Sequence, residues 1–117
     1  GSKSYNMSTL FDRVWEYSLN NPDGFTLNIE NFKPVVLGVA VAYFATQNSF
    51  GKEGLKKVIV HAQHHNNVIG GWLNLHNNRY YFDSIKIFKK LDEAIEFAKE
   101  NQQIAVFNLT TLEEIYL

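Results

Sequence analysis

The sequence predicts an α+β domain in which a mostly antiparallel sheet carries two or three helices on one of its faces. Apolar residues recur at positions i, i+3, i+4 and i+7 within residues 55–62 and 91–98, which is the period of an amphipathic helix. Each segment is followed by two short apolar runs around a polar turn, as in a β-hairpin. Hairpins build antiparallel sheets, and a helix with one apolar stripe needs such a sheet to cover it.

Composition fits one domain and excludes several classes of protein. The chain has 117 residues, 45% of them hydrophobic and 15% aromatic, so residues 7–117 are predicted as a single α+β domain and residues 1–6 as an unstructured tag. A net charge of −1 argues against direct nucleic-acid binding. The chain has no cysteine, which excludes disulfides and thiolate chemistry. The apolar run Val35 to Ala45 is too short to span a membrane.

The first predicted helix starts at Ser8, whose hydroxyl can cap it, and continues to about Leu19. The turn residues Asn21 to Gly24 end this helix. Phe25 to Ile29 then alternate between apolar and polar side chains, which predicts a short strand.

A longer apolar segment, Val35 to Thr46, predicts a mostly buried strand. Gly38 marks either a bulge or the true start of this strand. The polar loop Gln47 to Gly51 leads into a second helix, predicted from about Lys52 to His65, with Ser49 available as its cap.

Two hairpins and a third helix complete the predicted fold. The asparagines of the first hairpin turn tolerate left-handed backbone geometry, which favours a tight connection. The predicted elements are strands 68–75 and 79–82 around His76-Asn77-Asn78, a helix 91–101, and strands 104–109 and 112–117 around Thr110-Thr111.

The second half of the sequence contains two similar helix–hairpin units. A shift of 36 residues superposes the stripe of residues 55–62 on that of residues 91–98, and the strands that follow align as well. Either an internal duplication or two units of similar length accounts for this. Both alternatives predict two neighbouring helices over one sheet.

Three of the four histidines, His61, His64 and His65, fall within five positions near the end of the second helix. His61 and His65 share a helix face, as zinc-binding pairs do, but Ala62 stands where the helical zinc motif has Glu. No third ligand is evident. Cationic histidines near a helix C-terminus are stabilised by roughly 0.3–1 kcal/mol. We favour this structural interpretation, with a partner or anion contact and a metal site as alternatives.

The start of the second helix is a candidate anion site. Helix N-termini present free N–H groups, and Lys52 adds a positive charge. Capping alone also accounts for Ser49. The candidate residues of this loop are Gln47, Asn48, Ser49, Phe50 and Lys52.

Gly70 and Gly71 stand next to Trp72 inside a predicted strand, where glycine costs stability. They indicate a bulge or a close approach, either of a ligand with Trp72 as a stacking wall or of the second helix. Tyr80 and Tyr81 are predicted on opposite faces of their strand, so that one belongs to the core and the other is exposed. The exposed ring either serves an interface or shields the sheet.

Four stretches taken in order resemble a domain of bacterial phage and conjugative-element proteins, found alone or within large polyvalent proteins. They are Ala42 to Gly51, Gly70 to Trp72, Tyr80 to Ser84 and Asn101 to Leu109, and the resemblance covers about residues 24–117. It implies a mobile-element protein in the cytoplasm of a bacterial host, where small proteins block defences such as CRISPR effectors. It brings no known active site.

The leading hypothesis is a non-enzymatic interaction module that inhibits a host defence system by binding a protein, with no cofactor. The open edge expected at strand 112–117 also predicts a homodimer. The alternatives are a nucleotide-signal binding protein and a histidine-metal hydrolase. The predicted partner- or ligand-binding residues are Gln47, Asn48, Ser49, Phe50, Lys52, His65, Trp72 and Tyr81.

Overall fold

A computed structural model describes residues 7–117, with side chains from Thr9 onward, so the predicted tag and the capping role of the Ser8 side chain lie outside the described residues. Three helices and an eight-stranded antiparallel sheet confirm the predicted α+β class. The helices are α1 (Met7–Leu19), α2 (Gly51–Gln63) and α3 (Leu91–Glu100). The strands are β1 (Phe25–Asn28), β2 (Lys33–Pro34), β3 (Val39–Ala42), β4 (Ser49–Phe50), β5 (Val68–Asn74), β6 (Arg79–Phe88), β7 (Ala105–Asn108) and β8 (Glu113–Tyr116).

Strand β6 holds the sheet together. The strand order is β2-β1-β5-β6-β3-β7-β8, with β4 also paired to β6. Residues 79–84 of β6 pair with β5, and residues 85–88 pair with β3. The prediction ended this strand at Phe82, six residues too early. Since β6 pairs with β5 through its first half and with β3 through its second half, one continuous sheet underlies the helices.

Helices α2 and α3 cover the same face of the sheet, as predicted. The stripe of α2 packs on Leu27, Ile69 and Phe82, and α1 adds Leu10 and Val14 to this core. In α3 the buried side chains are alanines, which pack on β3 and β7. Successive side chains of β6 point to opposite faces of the sheet. Those that face the helices include Phe82, Ser84, Lys86 and Phe88. The opposite pleat carries no helix.

The strand predicted over Val35 to Thr46 is much shorter than expected. Gly38 marks its true start: the glycine has φ +99°, and β3 begins at the next residue. After Ala42 the chain enters a short 3-10 helix, Phe44–Thr46. There the side chain of Thr46 accepts a hydrogen bond from the Ser84 amide, which replaces a partner that a longer strand would supply.

Helix α2 also differs from its prediction at both ends. It begins at Gly51 after Phe50, and no side chain caps it. The capping role predicted for Ser49 is therefore wrong, because Ser49 lies in β4 and its hydroxyl donates to the Thr46 carbonyl at 2.7 Å. The helix ends at Gln63, so that His65 lies beyond it.

All three hairpin turns are built in the same way. Each begins with an asparagine whose side-chain oxygen accepts hydrogen bonds from backbone amides two or three residues later. Each ends four residues on with a left-handed residue, with φ between 55° and 62°. The asparagines are Asn28, Asn74 and Asn108, and the left-handed residues are Phe32, Asn78 and Leu112. The two predicted helix–hairpin units are thus present, and α1 with β1 and β2 forms a third.

The two glycines of β5 lie in a regular ladder. Gly70 pairs with Asp83 and Gly71 with Phe82, so the bulge considered from the sequence is absent there. A methyl group on Gly71 would overlap the rings of Phe25 and Tyr80. The close approach predicted at Gly71 is therefore made by two aromatic rings, and α2 does not make it.

Candidate binding groove on the open sheet face

The sheet face without helices, here called the open face, forms a concave groove with a cavity of about 610 Å³. The groove crosses the sheet from β1 to β8, since residues of both strands and of those between them line it. A cavity of this size with a few polar groups is the usual form of a binding site.

Small residues form the floor of the groove. Gly70 stands beside Asp83 in the ladder, Ala42 stands beside Ile85, and Ala40 stands beside Phe107. Ala105 continues the floor on β7. The Ile85 side chain fills the space beside Gly70, since a Cβ there would lie 2.4 Å from Ile85 Cδ1. Ala40 is buried, so the open part of the floor lies at the partly exposed Ala42 and Ala105.

Asp83 is the carboxylate in the middle of the groove. Its side chain is partly buried and points to the open face, whereas that of the neighbouring Phe82 points to the helices. Burial raises the pKa of Asp83 to about 6, although a hydrogen bond from Trp72 acts in the opposite direction. Trp72 Nε1 donates to Asp83 Oδ2 at 3.1 Å, and within the described residues Oδ1 has no hydrogen-bond partner. Oδ1 is therefore free to accept a hydrogen bond from a bound molecule.

An aromatic ladder stands beside the groove and reaches it through Trp72. Trp72 stacks on Tyr81 with ring centroids 5.1 Å apart, and Tyr81 meets Phe50 edge-on at 5.6 Å. The guanidinium of Arg79 lies over the Phe50 ring, 4.4 Å from its centroid. The amide of Asn77 donates to the Tyr81 hydroxyl at 2.8 Å. These contacts fix the orientation of Trp72 before any ligand binds.

The rim of the groove is apolar and exposed. The exposed fractions are 44% for Trp72, 37% for Phe107 and 75% for Leu112. All three line the cavity. Apolar side chains that cluster at the rim of a concave surface mark an interaction site more strongly than scattered ones do.

The ionisable groups that line the groove are all acidic. They are Asp23 just before β1, Asp83 on β6 and Glu114 on β8. No lysine, arginine or histidine stands among the described residues that line it. The ionisable residues of the groove are therefore of one kind, although the net charge of the chain is only −1.

Three of the predicted site residues, Phe50, Trp72 and Tyr81, meet in the aromatic ladder. Gln47 is close to the groove as well, because its side-chain oxygen accepts from Gln103, which lines the cavity. Asn48 occupies a left-handed turn position with φ 64°. Ser49 is buried with its hydroxyl bonded to Thr46, so it is not available to a ligand.

Lys52 and His65 do not join the other predicted residues. Lys52 lies in the first turn of α2 over the ring of Trp15, 5.4 Å from its centroid. His65 follows the last turn and stacks on His61. A helix of 13 residues is about 20 Å long, which separates these two side chains too widely for one small ligand. Lys52 and His65 therefore cannot contact one small ligand together.

The histidines are held by hydrogen bonds within the chain. The Nδ1 atoms of His61, His64 and His65 lie 2.7–2.9 Å from Ser84 Oγ, the Val60 carbonyl and the His61 carbonyl, respectively. The rings of His61 and His65 stack at 3.8 Å, and Tyr43 packs against both. Among residues whose side chains are described, no group of three or more His, Cys, Asp or Glu is placed to hold a metal ion.

The sequence reasoning missed Asp83, Phe107 and Leu112 as site residues. Strand alternation carried a signal for Asp83, because residues 81 and 83 of one strand share a face. No comparable local signal existed for Phe107 and Leu112, since only the strand order brings β7 beside β3.

Comparisons with known proteins give no relative: no family model, no curated protein and no solved structure matches the chain. None of the helices within residues 7–117 is both long enough and apolar enough to span a membrane.

Proposed function

We propose that the protein is a non-enzymatic binding module that holds a protein partner in the groove of the open face. The observation that carries this proposal is the one-sided cover of the sheet. Helices α2 and α3 pack on one face, while the other has a cavity of about 610 Å³ with exposed Trp72, Phe107 and Leu112 at its rim. An exposed apolar surface of this kind becomes stable when a partner covers it.

The chemistry of the polar side chains supports binding rather than catalysis. The Nδ1 atoms of the clustered histidines form hydrogen bonds within the chain, at the C-terminal end of α2. Asp83 is bonded to Trp72, an indole that takes no part in proton transfer. The groove thus offers recognition groups: a carboxylate, aromatic rings and a floor of small residues.

Affinity capture from a bacterial lysate tests the proposal. The baits are the wild-type chain and a variant carrying Phe107→Ser with Leu112→Asn. The matched control is Val60→Ser, which removes a side chain 46% exposed on α2, on the other side of the sheet. We expect a partner that the wild type and Val60→Ser recover and the groove variant loses. Equal recovery by all three baits would locate binding elsewhere and contradict the proposal.

The resemblance to phage and conjugative-element proteins supports a more specific role. We propose that the partner is a host protein in the bacterial cytoplasm and that binding inhibits a defence system. Expression of the chain in a strain with an active CRISPR system should raise the plating efficiency of a targeted phage. The groove variant should not do so, and unchanged plating with the wild type across several defence systems would remove this role.

Homodimer formation through the last strand is a separate proposal. Strand β8 is an edge of the sheet with one side unpaired, and such edges pair readily with a second strand. Light scattering on the purified chain checks it, and a monomer at high concentration would exclude it.

A further inference from the structure

The groove combines three features that together define the chemistry of its occupant. It is elongated, its floor is made of small residues, and its ionisable groups are carboxylates. From these features, and resting on the proposed function, we infer that the groove binds an extended basic segment of a partner protein, with one lysine or arginine side chain held by Asp83.

The length of the groove favours a peptide segment over a small molecule. Lining residues belong to β1 at one end and to β8 at the other, five strand-to-strand steps apart. At about 4.8 Å per step the groove is about 24 Å long. An extended chain of about seven residues has this length, at roughly 3.3 Å per residue.

The charges favour a basic segment. Asp23 stands at the β1 end, Asp83 near the middle and Glu114 at the β8 end, so that carboxylates are spread along the whole groove. Without a lining cation, this series attracts lysine and arginine and repels phosphate groups and acidic peptides. A nucleic acid is disfavoured for the same reason.

Asp83 is the strongest contact point for a cation. Its Oδ2 is already oriented by Trp72 Nε1, and its Oδ1 is free within the described residues. An ammonium or guanidinium group can bond to Oδ1 while its aliphatic stem lies over Ala42, beside Ile85. The exposed part of the Trp72 ring adds a cation–π contact.

The carboxylate at position 83 is held in an environment that disfavours its charge, since burial raises its pKa. A bound cation reverses this penalty, because an opposite charge at contact distance stabilises the ionised form. Without a ligand, the ionised Asp83 therefore lowers the stability of the protein, and a bound basic side chain removes this loss.

Selection from a phage-displayed library of random heptapeptides on the immobilised wild-type chain tests the inference. We expect the selected peptides to be enriched in lysine and arginine next to apolar residues. A fluorescein-labelled selected peptide, followed by fluorescence anisotropy, should bind Asp83→Asn at least about tenfold more weakly, since a charge-assisted hydrogen bond is lost. The control Glu96→Gln removes an exposed carboxylate of α3, outside the groove, and should bind like the wild type.

The inference would be overturned by selected peptides that are acidic or neutral, by no enrichment at all, or by equal affinity for wild type and Asp83→Asn. Competition with n-butylamine separates a peptide from a small amine. If the amine bound as tightly as the peptide, the occupant would be a small amine and the inference would be wrong. Capture of a partner that depends on Phe107 and Leu112, together with non-basic selected peptides, would leave the proposed function standing and remove only this inference.

Discussion

At the scale of single residues, Asp83 and His61 are the ionisable groups with the clearest structural consequences. Asp83 lies in the groove of the open face, and burial raises its pKa to about 6. His61 lies under Tyr43 on the covered face, and burial lowers its pKa. A carboxylate that lies at a binding surface and lowers the stability of the fold is typical of functional residues.

Replacement of Asp83 by Asn should stabilise the fold at neutral pH. The folded-state pKa of about 6 lies above the ordinary 3.8, so the fold favours the protonated carboxyl group. The stability that this gives is fully present below pH 3.8. It is lost as the pH rises through 6. The amide oxygen of Asn can still accept from Trp72, and we expect Asp83→Asn to raise the free energy of unfolding by about 1–2 kcal/mol at pH 7.

Urea unfolding of both chains at pH 7 and pH 4 measures the effect of Asp83→Asn, and the difference should vanish at the lower pH. A variant less stable than the wild type at pH 7 would show that the charged carboxylate supports the fold.

His61 gives a pH dependence of the opposite sign. Its pKa is lowered from 6.5, first by burial and then by the charges of His65, His64 and Lys57. The folded chain therefore favours the neutral ring, and the stability that this gives is present above pH 6.5 and lost as the pH falls below it.

We predict that the wild type loses more unfolding free energy between pH 7.5 and pH 5 than His61→Asn, whose amide can still bond to Ser84. The control is His76→Asn, at an exposed hairpin turn, which should follow the wild type. Parallel pH profiles for all three chains in chemical unfolding would show that His61 has no such role.

At the scale of elements, the repeated asparagine turns determine where the strands pair. Asn108 Oδ1 accepts from the amides of Thr110 and Thr111 at 3.0 and 3.2 Å, and Leu112 then takes a left-handed conformation. The turn fixes the register of β7 against β8, because a hairpin's register follows from its loop.

Asn108→Ala should therefore lower the free energy of unfolding by about 1 kcal/mol, since two amides lose their acceptor. Asn108→Asp keeps the oxygen and should cost clearly less. Thermal unfolding of the three chains tests this, and equal losses for Ala and Asp would mean that the side-chain oxygen does not stabilise the turn.

The sequence predicted the helices better than the strands. The stripes of α2 and α3 were visible because every fourth residue of a helix returns to the same face. The strand over Val35 to Thr46 was overextended, since the side chain of Thr46 replaces a ladder partner and no local pattern reports that. The third asparagine turn, at Asn28, has the same sequence pattern as the other two and was absent from the predicted hairpins.

At the scale of the whole molecule, β6 couples the two apolar cores that lie under the helices. Phe82 belongs to the core under α2, and Val41, on the strand paired with the far half of β6, belongs to the core under α3. Because both cores rest on one continuous sheet, neither can lose its packing without disturbing β6.

We expect a single unfolding transition in which both cores take part. Phe82→Ala should lower its free energy by about 3–5 kcal/mol and Val41→Ala by about 1–3 kcal/mol. Calorimetry together with circular dichroism checks this. Two separate transitions, each affected by only one of the substitutions, would show that the cores unfold independently.

The sequence by itself determined the α+β class, the helices α2 and α3 with the hairpin after each, and the opposite orientations of Tyr80 and Tyr81. These are local properties, fixed by the period of the apolar residues. The tertiary structure alone decided that β3 stands between β6 and β7, that Phe50 meets Tyr81, and that Lys52 and His65 lie at opposite ends of α2. The physical reason is that alternation shows which residues share a face, whereas the order of strands and the side on which the helices pack depend on contacts between distant segments. The groove around Asp83 follows from that choice of side.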